Sequence, residues 1–463
     1  MSVRWPPDLA YLKPTAHLHF IGLGGIGMSG LARMLAQLGY RVSGCDTVDA
    51  PLLETLRAQG IEVWTRHDPE HVVQADLVVV TSAVRAHHPE VAAAVRLRRP
   101  VVKRAALLGW LTGATTCVAV AGTHGKSTTT AMIAFILEQA GWSPSFAIGA
   151  ESLDLGTNAR LGAGDTFVVE ADEYDYSFLS LEPELAVVLN VEHDHPDLFP
   201  TLASVEAAFR RFLERVRHGG AVVLSSDDPG CRRLLASLHG CGLRVVTFGS
   251  GPEADWILVE EAGTTVIRHQ ERQWPLALRV PGWHNRLNAV AAVAAASILG
   301  AEPESALRTL GAFSGTGRRF EVVGMSQGVT VVVDYAHHPS EIRATISAAR
   351  ERFPGAKLWV IFQPHTFSRT RTFFSEFAKA LGLADEVIVT PVYAAREVDP
   401  GDVPIERLAL QVEPRMARVA ANPHAAAQLA AERVSPGDVV LVLGAGDVWV
   451  AAPVLLDVLG SER

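Results

Sequence analysis

The segment GTHGKS at residues 122–127 has the residue types that bind nucleotide phosphates, and it lies between an apolar run and a helix-like run. Backbone N–H groups of such a loop contact phosphate oxygens, a lysine reaches the β- and γ-phosphates, and a serine hydroxyl ligates Mg²⁺. Lys126 and Ser127 have the required order, although Val120 stands where the usual pattern has its first glycine. The segment therefore favours ATP binding over a surface turn with a solvated lysine.

A second glycine-rich segment, GLGGIG at residues 22–27, also follows an apolar run and precedes a helix-like run. In this context helix N-terminal N–H groups bind a pyrophosphate, and an acidic residue after the next strand, here Asp46, accepts from a ribose hydroxyl. Taken alone, the pattern predicts an NAD site. A tight turn whose glycines only permit close packing is the alternative, and no local residue decides which nucleotide binds.

The acidic segment EADE at residues 170–173 follows the apolar run TFVV. Ligands of open α/β sheets collect at the carboxyl ends of strands, and Mg²⁺ prefers carboxylate oxygens beside phosphates. Together with the phosphate loop, this placement favours Glu170 as a metal ligand over a solvated acidic turn.

Two histidines occur in NVEHDHPD, residues 190–197, again after an apolar run. If the strand continued, His193 and His195 would share a face, and with Asp194 or Asp197 they would suggest zinc. Zinc is the weaker interpretation. Two other interpretations are that these histidines act as minor Mg²⁺ ligands or that they cap a loop. Composition does not decide among the three.

The last third of the chain places arginines and histidines near the ends of apolar runs. Arg318 and Arg319 precede VTVVV, the segment DYAHH at residues 334–338 follows it, and Arg369 and Arg371 come after KLWVIF. Such side chains capture carboxylate or phosphate groups. Each one alone is typical of a surface ion pair or a packed histidine, but their repeated position at strand ends favours a functional role.

The elements that must position these residues recur in three series of strand, loop and helix. The strand-like runs are HLHFIGLG and YRVSGCD, then CVAVAG, TFVVEAD, LAVVLNVE and AVVLSS, then VTVVVDYA, KLWVIFQP, DEVIVTPV and DVVLVLGAG. Apolar runs separated by helices predict parallel sheets, hence an α/β protein. We place the domains at residues 1–110, 111–318 and 319–463, where each series restarts.

The uncharged run from Ala105 to Thr123 is long enough to suggest a membrane span. It contains glycines and threonines and opens directly into the phosphate loop, so we expect a buried linker followed by a strand instead.

Length and composition describe an ordinary globular protein. The 463 residues correspond to about three domains of roughly 150 residues each, and 48% hydrophobic with 20% charged residues excludes a disordered chain. A formal net charge of −9 gives no overall field for nucleic acid or an anionic membrane. The four cysteines form no C-x-x-C pair, and we expect them to be small buried residues. Prolines interrupt the N-terminal segment where a signal peptide would be apolar. We therefore expect a cytoplasmic location.

Nine segments together resemble the Mur ligases of bacterial peptidoglycan synthesis. They occur in that family's order from residue 22 to residue 449, so the resemblance covers nearly the whole chain. The segments are GLGGIGMSGLA, VAVAGTHGKSTTT, EADEYDYSFL, LNVEHDHPDLF, PGWHNRLNAVAA, GTGRRFEVVG, DYAHHPSEI, QPHTFSRTR and LVLGAGDVW.

The resemblance implies a Rossmann-like N-terminal domain that binds a UDP-sugar, a central phosphate-loop ATPase domain, and a C-terminal Rossmann-like domain that binds an amino acid and closes. It assigns the first glycine turn to UDP rather than NAD. The reaction it implies is ATP-dependent, uses Mg²⁺, and joins L-alanine to the lactyl carboxylate of UDP-N-acetylmuramate through an acyl phosphate. Neither a nucleic-acid partner nor membrane insertion is expected.

Site residues follow from the same resemblance. His284 and Asn285 face the adenine, Asp334 the ribose, and His337 with Arg369 the carboxylate of the amino acid. The implied ATP loop is Gly122, Thr123, His124, Gly125, Lys126, Ser127 and Thr128. The implied UDP-sugar residues are Gly24, Gly25, Ile26, Gly27 and Asp46. The implied metal ligands are Ser127, Glu170 and His195, and the implied catalytic residues are Lys126, His195 and Arg319.

Alternatives remain at this point. Tyr174 stands where many relatives have serine, and His193 fills a position that is often not histidine. These departures leave room for the related ligase that joins a preformed tripeptide to UDP-N-acetylmuramate during recycling. A nucleotide-binding sensor that does not ligate, and an oxidoreductase that uses the glycine turn for NAD, are alternatives of other classes.

Overall fold

The apolar runs form parallel sheets, as expected, because strands covered by helices on both faces are apolar throughout. The structure is a computed structural model that describes residues 12–461 apart from positions 14, 50, 86, 239, 262 and 415. This described part contains three sheets of five, ten and six strands. Every residue of VVLVL at 439–443 is buried, as is every residue of LWVIF at 358–362.

The N-terminal sheet has the order β3-β2-β1-β4-β5 and is parallel throughout. Its strands are β1 (His17–Ile21), β2 (Arg41–Cys45), β3 (Glu62–Trp64), β4 (Leu77–Val80) and β5 (Val101–Lys103). Its helices are α1 (Ile26–Gln37), α2 (Pro51–Ala58), α3 (Pro89–Arg96) and α4 (Arg104–Thr112), with a 3₁₀ turn at Pro69–Val72.

The central sheet has the order β15-β14-β13-β12-β11-β10-β6-β9-β7-β8, parallel from β13 to β7 and antiparallel at its two ends. Its strands are β6 (Thr116–Ala121), β7 (Ser145–Ser152), β8 (Thr157–Arg160), β9 (Thr166–Glu170), β10 (Leu185–Val188), β11 (Ala221–Ser225), β12 (Arg244–Gly249), β13 (Trp256–Glu261), β14 (Thr264–His269) and β15 (Arg272–Pro275). The helices of this part of the chain are α5 (Lys126–Gln139), α6 (Leu202–Leu213), α7 (Pro229–Ser237), α8 (Trp283–Leu299) and α9 (Pro303–Leu310), with a 3₁₀ segment at Tyr174–Ser180.

The C-terminal sheet has the order β16-β17-β21-β18-β19-β20, and only the β16–β17 pair is antiparallel. Its strands are β16 (Glu321–Ser326), β17 (Val329–Asp334), β18 (Leu358–Phe362), β19 (Glu386–Val389), β20 (Arg418–Val419) and β21 (Val439–Leu443). Its helices are α10 (Pro339–Arg352), α11 (Phe367–Thr372), α12 (Phe374–Leu381), α13 (Ile405–Gln411), α14 (Pro423–Ala431) and α15 (Ala451–Ser461), with a 3₁₀ turn at Val448–Val450.

The described residues form two compact units. The first unit runs from the N-terminal part of the described chain to Val191 and includes Glu206–Pro275 and Val290–Leu310, so it holds the N-terminal and central sheets. The second unit comprises Glu192–Val205, Leu276–Ala289 and the chain from Gly311 onward, with the C-terminal sheet.

Each face of the C-terminal sheet is covered by its own apolar layer, because successive strand residues point to opposite faces. Val332 and Val360 pack with Phe377 of α12 on one face. Val331 and Trp359 belong to the layer of α14 and α15 on the other face. The second unit is therefore a three-layer α/β unit with a core of its own.

Two sequence expectations need correction. Ala105–Thr112, expected to be part of a linker, belongs to helix α4, and only the later part of the uncharged run is strand β6. The helix includes Gly109 among otherwise helix-compatible residues and ends at Thr112, with Gly113 as its C-cap. Cys241 is exposed, whereas Cys45, Cys117 and Cys231 are buried as expected. Within the described residues, no helix is long and apolar enough to cross a membrane.

Candidate functional site

The first glycine turn connects β1 to α1 and is held by the end of β2. The backbone N–H groups of Gly22 and Leu23 donate to the carbonyl of Cys45 at 2.9 and 3.0 Å. The N–H of Gly24 donates to Oδ2 of Asp46 at 2.8 Å, and α1 begins at Ile26. Asp46 therefore lies beside the turn, where its carboxylate fixes the backbone that the sequence assigns to phosphate binding.

The phosphate loop connects β6 to the buried helix α5. Gly122 and Gly125 have φ of +142° and +84°, conformations that favour glycine. Asn190, at the end of β10, closes the loop from the side: its Oδ1 accepts from the His124 N–H at 2.7 Å, and its Nδ2 donates to the His124 carbonyl at 3.1 Å. Ser127 and Thr128 occupy the first turn of α5. The loop is thus fixed at both ends and at its middle.

Lys126 lies in a largely buried acidic environment. Its Nζ donates to the carbonyls of Gly122 and Thr123 at 2.7 and 3.2 Å, and to Oε2 of Glu173 at 2.8 Å. Burial alone would lower the pKa of Lys126, but the negative charges of Glu173, Asp172 and Glu170 outweigh it and raise that pKa above its usual value. The lysine is therefore a permanent positive charge at neutral pH.

Sheet topology explains why the acidic segment lies beside the loop. β6 pairs with β9, with Val120 opposite Glu170, and also with β10, with Ala121 opposite Val188. The loop after β6, Glu170 and Asn190 are consequently at the same carboxyl edge. Oε2 of Glu170 accepts from the Gly149 N–H at 2.7 Å, which fixes the position of the carboxylate.

In the second unit, Asp334 ends β17 and accepts three hydrogen bonds. Donors are the N–H groups of Phe320 at 2.9 Å and Ala336 at 2.8 Å, and the Thr345 hydroxyl at 3.2 Å. Burial raises the pKa of Asp334 to about 6, against the opposing effect of Arg319. In this arrangement the carboxylate braces the segments before and after β17.

Glu341 links His337 and Arg319. Its Oε2 accepts from the His337 N–H at 3.0 Å, and its Oε1 lies 3.6 Å from Nη1 of Arg319. The His337 ring nitrogen Nδ1 lies 2.9 Å from the Tyr335 carbonyl. Burial lowers the pKa of His337 to about 3, although Glu341 opposes this effect, so the ring is neutral at physiological pH. The arrangement orients His337 as a neutral group.

Arg369 forms a buried ion pair with Asp194. Its Nε donates to Oδ1 at 2.7 Å and its Nη2 to Oδ2 at 3.2 Å, and both side chains are at most 5% exposed. Nη2 of Arg369 also lies 3.5 Å from Nδ1 of His195. His195 has φ of +52°, a strained value for histidine, and its N–H donates to Asp194. The pair therefore fixes the conformation of the His195 loop.

The remaining candidates also lie in the second unit. Asn285, in the first turn of α8, donates from Nδ2 to the Pro281 carbonyl at 2.7 Å, and His284 precedes it. The ring nitrogen Nε2 of His193 lies 2.8 Å from the Phe199 carbonyl. Among the residues that the structure describes, His193 and His195 do not belong to a metal-type cluster, so the zinc alternative gains no support.

The predicted residues thus fall into both units. Gly24–Gly27 with Asp46, and the phosphate loop with Glu170, form two groups in the first unit. His195, Arg319, Asp334, His337 and Arg369, together with His284 and Asn285, belong to the second unit.

Sequence reasoning missed the groups that hold these residues: Glu173 beside Lys126, Asn190 beside His124, Asp194 beside Arg369, and Glu341 beside His337. Each lies in or near a quoted motif. The motif itself does not reveal which residue it contacts.

Three domain families match successive parts of the chain. Residues 17–116 match the Mur ligase family catalytic domain, residues 120–296 the Mur ligase middle domain, and residues 318–446 the Mur ligase glutamate ligase domain. The chain belongs to the Mur ligase family. The family recognised from the motifs and the three-domain α/β fold class are both confirmed.

Individual Mur ligases extend this match. The UDP-N-acetylmuramate–L-alanine ligase of Paenarthrobacter aurescens is 44% identical over 98% of this chain and 99% of its own. A solved UDP-N-acetylmuramate–alanine ligase from Thermotoga maritima is 30% identical, with a TM-score of 0.80, covering 96% of this chain and 100% of that one. A solved UDP-N-acetylmuramate:L-alanyl-γ-D-glutamyl-meso-diaminopimelate ligase from Neisseria meningitides is 31% identical, with a TM-score of 0.61, over 66% of this chain and 100% of that one.

Proposed function

We propose that this chain is an ATP-dependent ligase that joins L-alanine to the lactyl carboxylate of UDP-N-acetylmuramate, in the cytoplasmic synthesis of peptidoglycan precursors. The observation that carries this proposal is the phosphate loop at the start of α5, with Lys126 beside Glu170 and Glu173. The substrates follow from the Paenarthrobacter aurescens relative, whose similarity extends over 98% of this chain.

The reaction needs activation because a carboxylate is a poor electrophile. Attack of the lactyl carboxylate oxygen on the γ-phosphorus of ATP breaks the bond to ADP and gives an acyl phosphate. The amine of L-alanine, as the free base, then attacks the acyl carbon, and inorganic phosphate leaves. Lys126 is permanently charged and stabilises the negative charge on the transferring phosphoryl group.

Mg²⁺ fits the donors at the carboxyl edge of β6 and β9. The Ser127 hydroxyl and the Glu170 carboxylate are hard oxygen donors, the type this cation prefers. We propose both as ligands, together with His195, which the resemblance implies as a third ligand. When bound, Mg²⁺ neutralises phosphate charge. The chain's own contribution is to hold the Glu170 carboxylate in place through the Gly149 N–H.

The substrate assignments rest on what surrounds each group. We propose that the N–H groups of Gly24–Gly27 bind the UDP-sugar, with Asp46 fixing the turn. His284 and Asn285 bind the adenine, and Asp334 supports the ribose by fixing the Phe320 and Ala336 backbone.

His337 and Arg369 recognise the alanine carboxylate, and Arg319 approaches the phosphates. We also propose functional domains at residues 1–110, 111–318 and 319–463, where the series of strands and helices restart in the sequence.

A coupled assay of ADP and phosphate release tests the reaction. Release is expected only when ATP, UDP-N-acetylmuramate and L-alanine are all present, with one new amide bond per ADP. ATP and UDP-sugar binding without turnover would support the non-ligating sensor and contradict our proposal. Hydride transfer to NAD, followed by its absorbance, would support the oxidoreductase.

The recycling ligase is tested by exchanging the acceptor. L-Alanine and L-alanyl-γ-D-glutamyl-diaminopimelate are compared at equal concentration by kcat/KM. The tripeptide is expected to react more slowly, because it carries additional carboxylates and bulk beyond a site for a single amino acid. A higher kcat/KM for the tripeptide would contradict L-alanine as the acceptor, while ADP release with either acceptor would still support ligation.

A further inference from the structure

A buried group of metal-type donors lies in the N-terminal sheet. It consists of His19 of β1, Cys45 of β2, His71 of the 3₁₀ turn and Glu90 of α3, which we call the donor cluster. One donor atom from each residue lies within 4.8 Å of the other three. The proposed ligase reaction uses none of these side chains.

The spacing of three of the donors, in His19, Cys45 and Glu90, is close to that of a tetrahedral metal site. Around zinc, with metal–ligand bonds of about 2.0–2.3 Å, donors lie about 3.3–3.6 Å apart. In the donor cluster, Sγ of Cys45 lies 3.7 Å from Nε2 of His19, and that nitrogen lies 3.5 Å from Oε2 of Glu90. The Cys45 thiol donates to the same Oε2 at 2.9 Å, a shorter contact because it is a hydrogen bond.

Outer contacts orient these donors. Nδ1 of His19 lies 2.9 Å from the Ser43 hydroxyl, which directs Nε2 toward the cluster. Oε1 of Glu90 accepts from the Asp68 N–H at 2.9 Å. Metal-ligating histidines and carboxylates are commonly held by such partners, which fix the ring orientation and the ligating atom.

Charge supplies a reason for a cation. The Glu90 side chain is fully buried, and its ion-pair partners in the described part of the chain are histidines alone: His19, His67 and His71. A buried charge is costly unless it is paired or coordinates a metal.

We propose that the donor cluster binds one divalent cation of the zinc type. Thiolate and imidazole select such borderline-soft cations over Mg²⁺ or Ca²⁺, which take oxygen ligands. On binding, the Cys45 S–H bond breaks, the proton passes to solvent and a metal–sulfur bond forms. Because the ligands come from four separate elements, the cation links these elements. The backbone carbonyl of Cys45 also accepts hydrogen bonds from the N–H groups of the glycine turn.

Cobalt(II) titration of the full chain, after removal of bound metal with a chelator, tests the site. A thiolate-to-cobalt charge-transfer band that saturates at one equivalent and is displaced by Zn²⁺ is expected. Mg²⁺-type oxygen sites give no such band. Cys45→Ser is expected to abolish the band. Cys241→Ser removes the exposed thiol and is expected to retain it, as the matched control.

A second variant keeps the test decisive if Cys45→Ser does not fold. His71 is 6% exposed at the edge of the cluster and stacks on Trp64. His71→Gln is expected to weaken cobalt affinity at least about tenfold, since even outer-shell changes cost that much. Absence of the band in the wild type, its persistence in folded Cys45→Ser, its loss in Cys241→Ser, or unchanged affinity in His71→Gln would each overturn the site.

Discussion

At the scale of single residues, Lys126 provides the sharpest test of the ATP site. Lys126→Ala removes the positive charge beside the phosphates, so kcat is expected to fall on the order of 10²–10³-fold or more, the loss typical of one preorganised donor. UDP-N-acetylmuramate binding, assigned to the separate glycine turn, is expected to persist. Steady-state kinetics and isothermal calorimetry measure the two effects.

The matched control is Lys379→Ala, which removes an exposed lysine of α12 and is expected to change neither quantity. Thermal melting is recorded as well, because Lys126→Ala removes the ion-pair partner of buried Glu173. Loss of sugar-nucleotide affinity as severe as the loss of turnover, in a folded variant, would contradict separate sites.

The buried carboxylate of Asp334 predicts a specific dependence of stability on pH. Its pKa of about 6 in the folded protein exceeds the ordinary 3.8, so the folded state holds the extra proton between these values. The protonated Asp334 carboxyl group therefore stabilises the folded protein below about pH 4. About 3 kcal/mol of the free energy of unfolding is lost as the pH rises to about 6. In Asp334→Asn this loss is expected to disappear, as measured by calorimetric melting from about pH 2 to 7.

Asp194 is the control of opposite sign. Although burial raises its pKa, Arg369 outweighs that effect and holds the pKa well below its usual range. Asp194 therefore contributes stability above about pH 4 that is lost as pH falls, and Asp194→Asn is expected to flatten the acidic side of the profile instead. Identical profiles for both variants would show that these assignments are wrong.

At the scale of elements, the loop between β6 and α5 depends on Asn190. Asn190→Ala removes both hydrogen bonds to the His124 backbone, a cost of about 1–3 kcal/mol. The loop then samples conformations that do not bind phosphate, so we expect KM for ATP to rise about five- to a hundredfold while the KM for L-alanine changes little.

Asn422→Ala is the corresponding control. Asn422 caps α14 through the Ala425 N–H, so its removal is expected to lower stability by about 1 kcal/mol without affecting ATP. An unchanged KM for ATP in Asn190→Ala would mean that Asn190 does not support the loop.

The elements also show what the sequence predicts and why. Strands such as β10 and β21 are apolar throughout and buried on both faces, so each run alone identifies them. Short or edge strands such as β15 and β20 contain polar residues and are largely exposed, so no apolar run in the sequence predicts them. Motif positions at the ends of β6 and β9 were predictable because parallel strands share a carboxyl edge.

The contacts of the site were not predictable in the same way. Lys126 and Glu173 are 47 residues apart, and Arg369 and Asp194 are 175 apart. Residue types limit the partners of an arginine to several acidic groups, but only the folded chain selects Asp194. The structure therefore adds a bracing role for Asp334 and Arg369 that their motifs alone do not contain.

At the scale of the whole molecule, two units with separate cores predict more than one unfolding transition. Leu185 of β10 and Leu441 of β21 are buried in the first and second unit respectively. Each Leu→Ala change is expected to cost about 2–5 kcal/mol and to lower the transition of its own unit, which assigns the calorimetric peaks.

Ligand binding then tests where the substrates bind. UDP-N-acetylmuramate at 100 times its Kd raises the free energy of unfolding of the folded form that binds it by about 2.7 kcal/mol. Because we assign its diphosphate to Gly24–Gly27, the transition lowered by Leu185→Ala is expected to move upward, and the one lowered by Leu441→Ala to move less. Lys126→Ala, which alters only the ATP loop, is expected to keep this shift. An equal shift of both transitions, or a larger shift of the second, would move the sugar-nucleotide site away from the glycine turn.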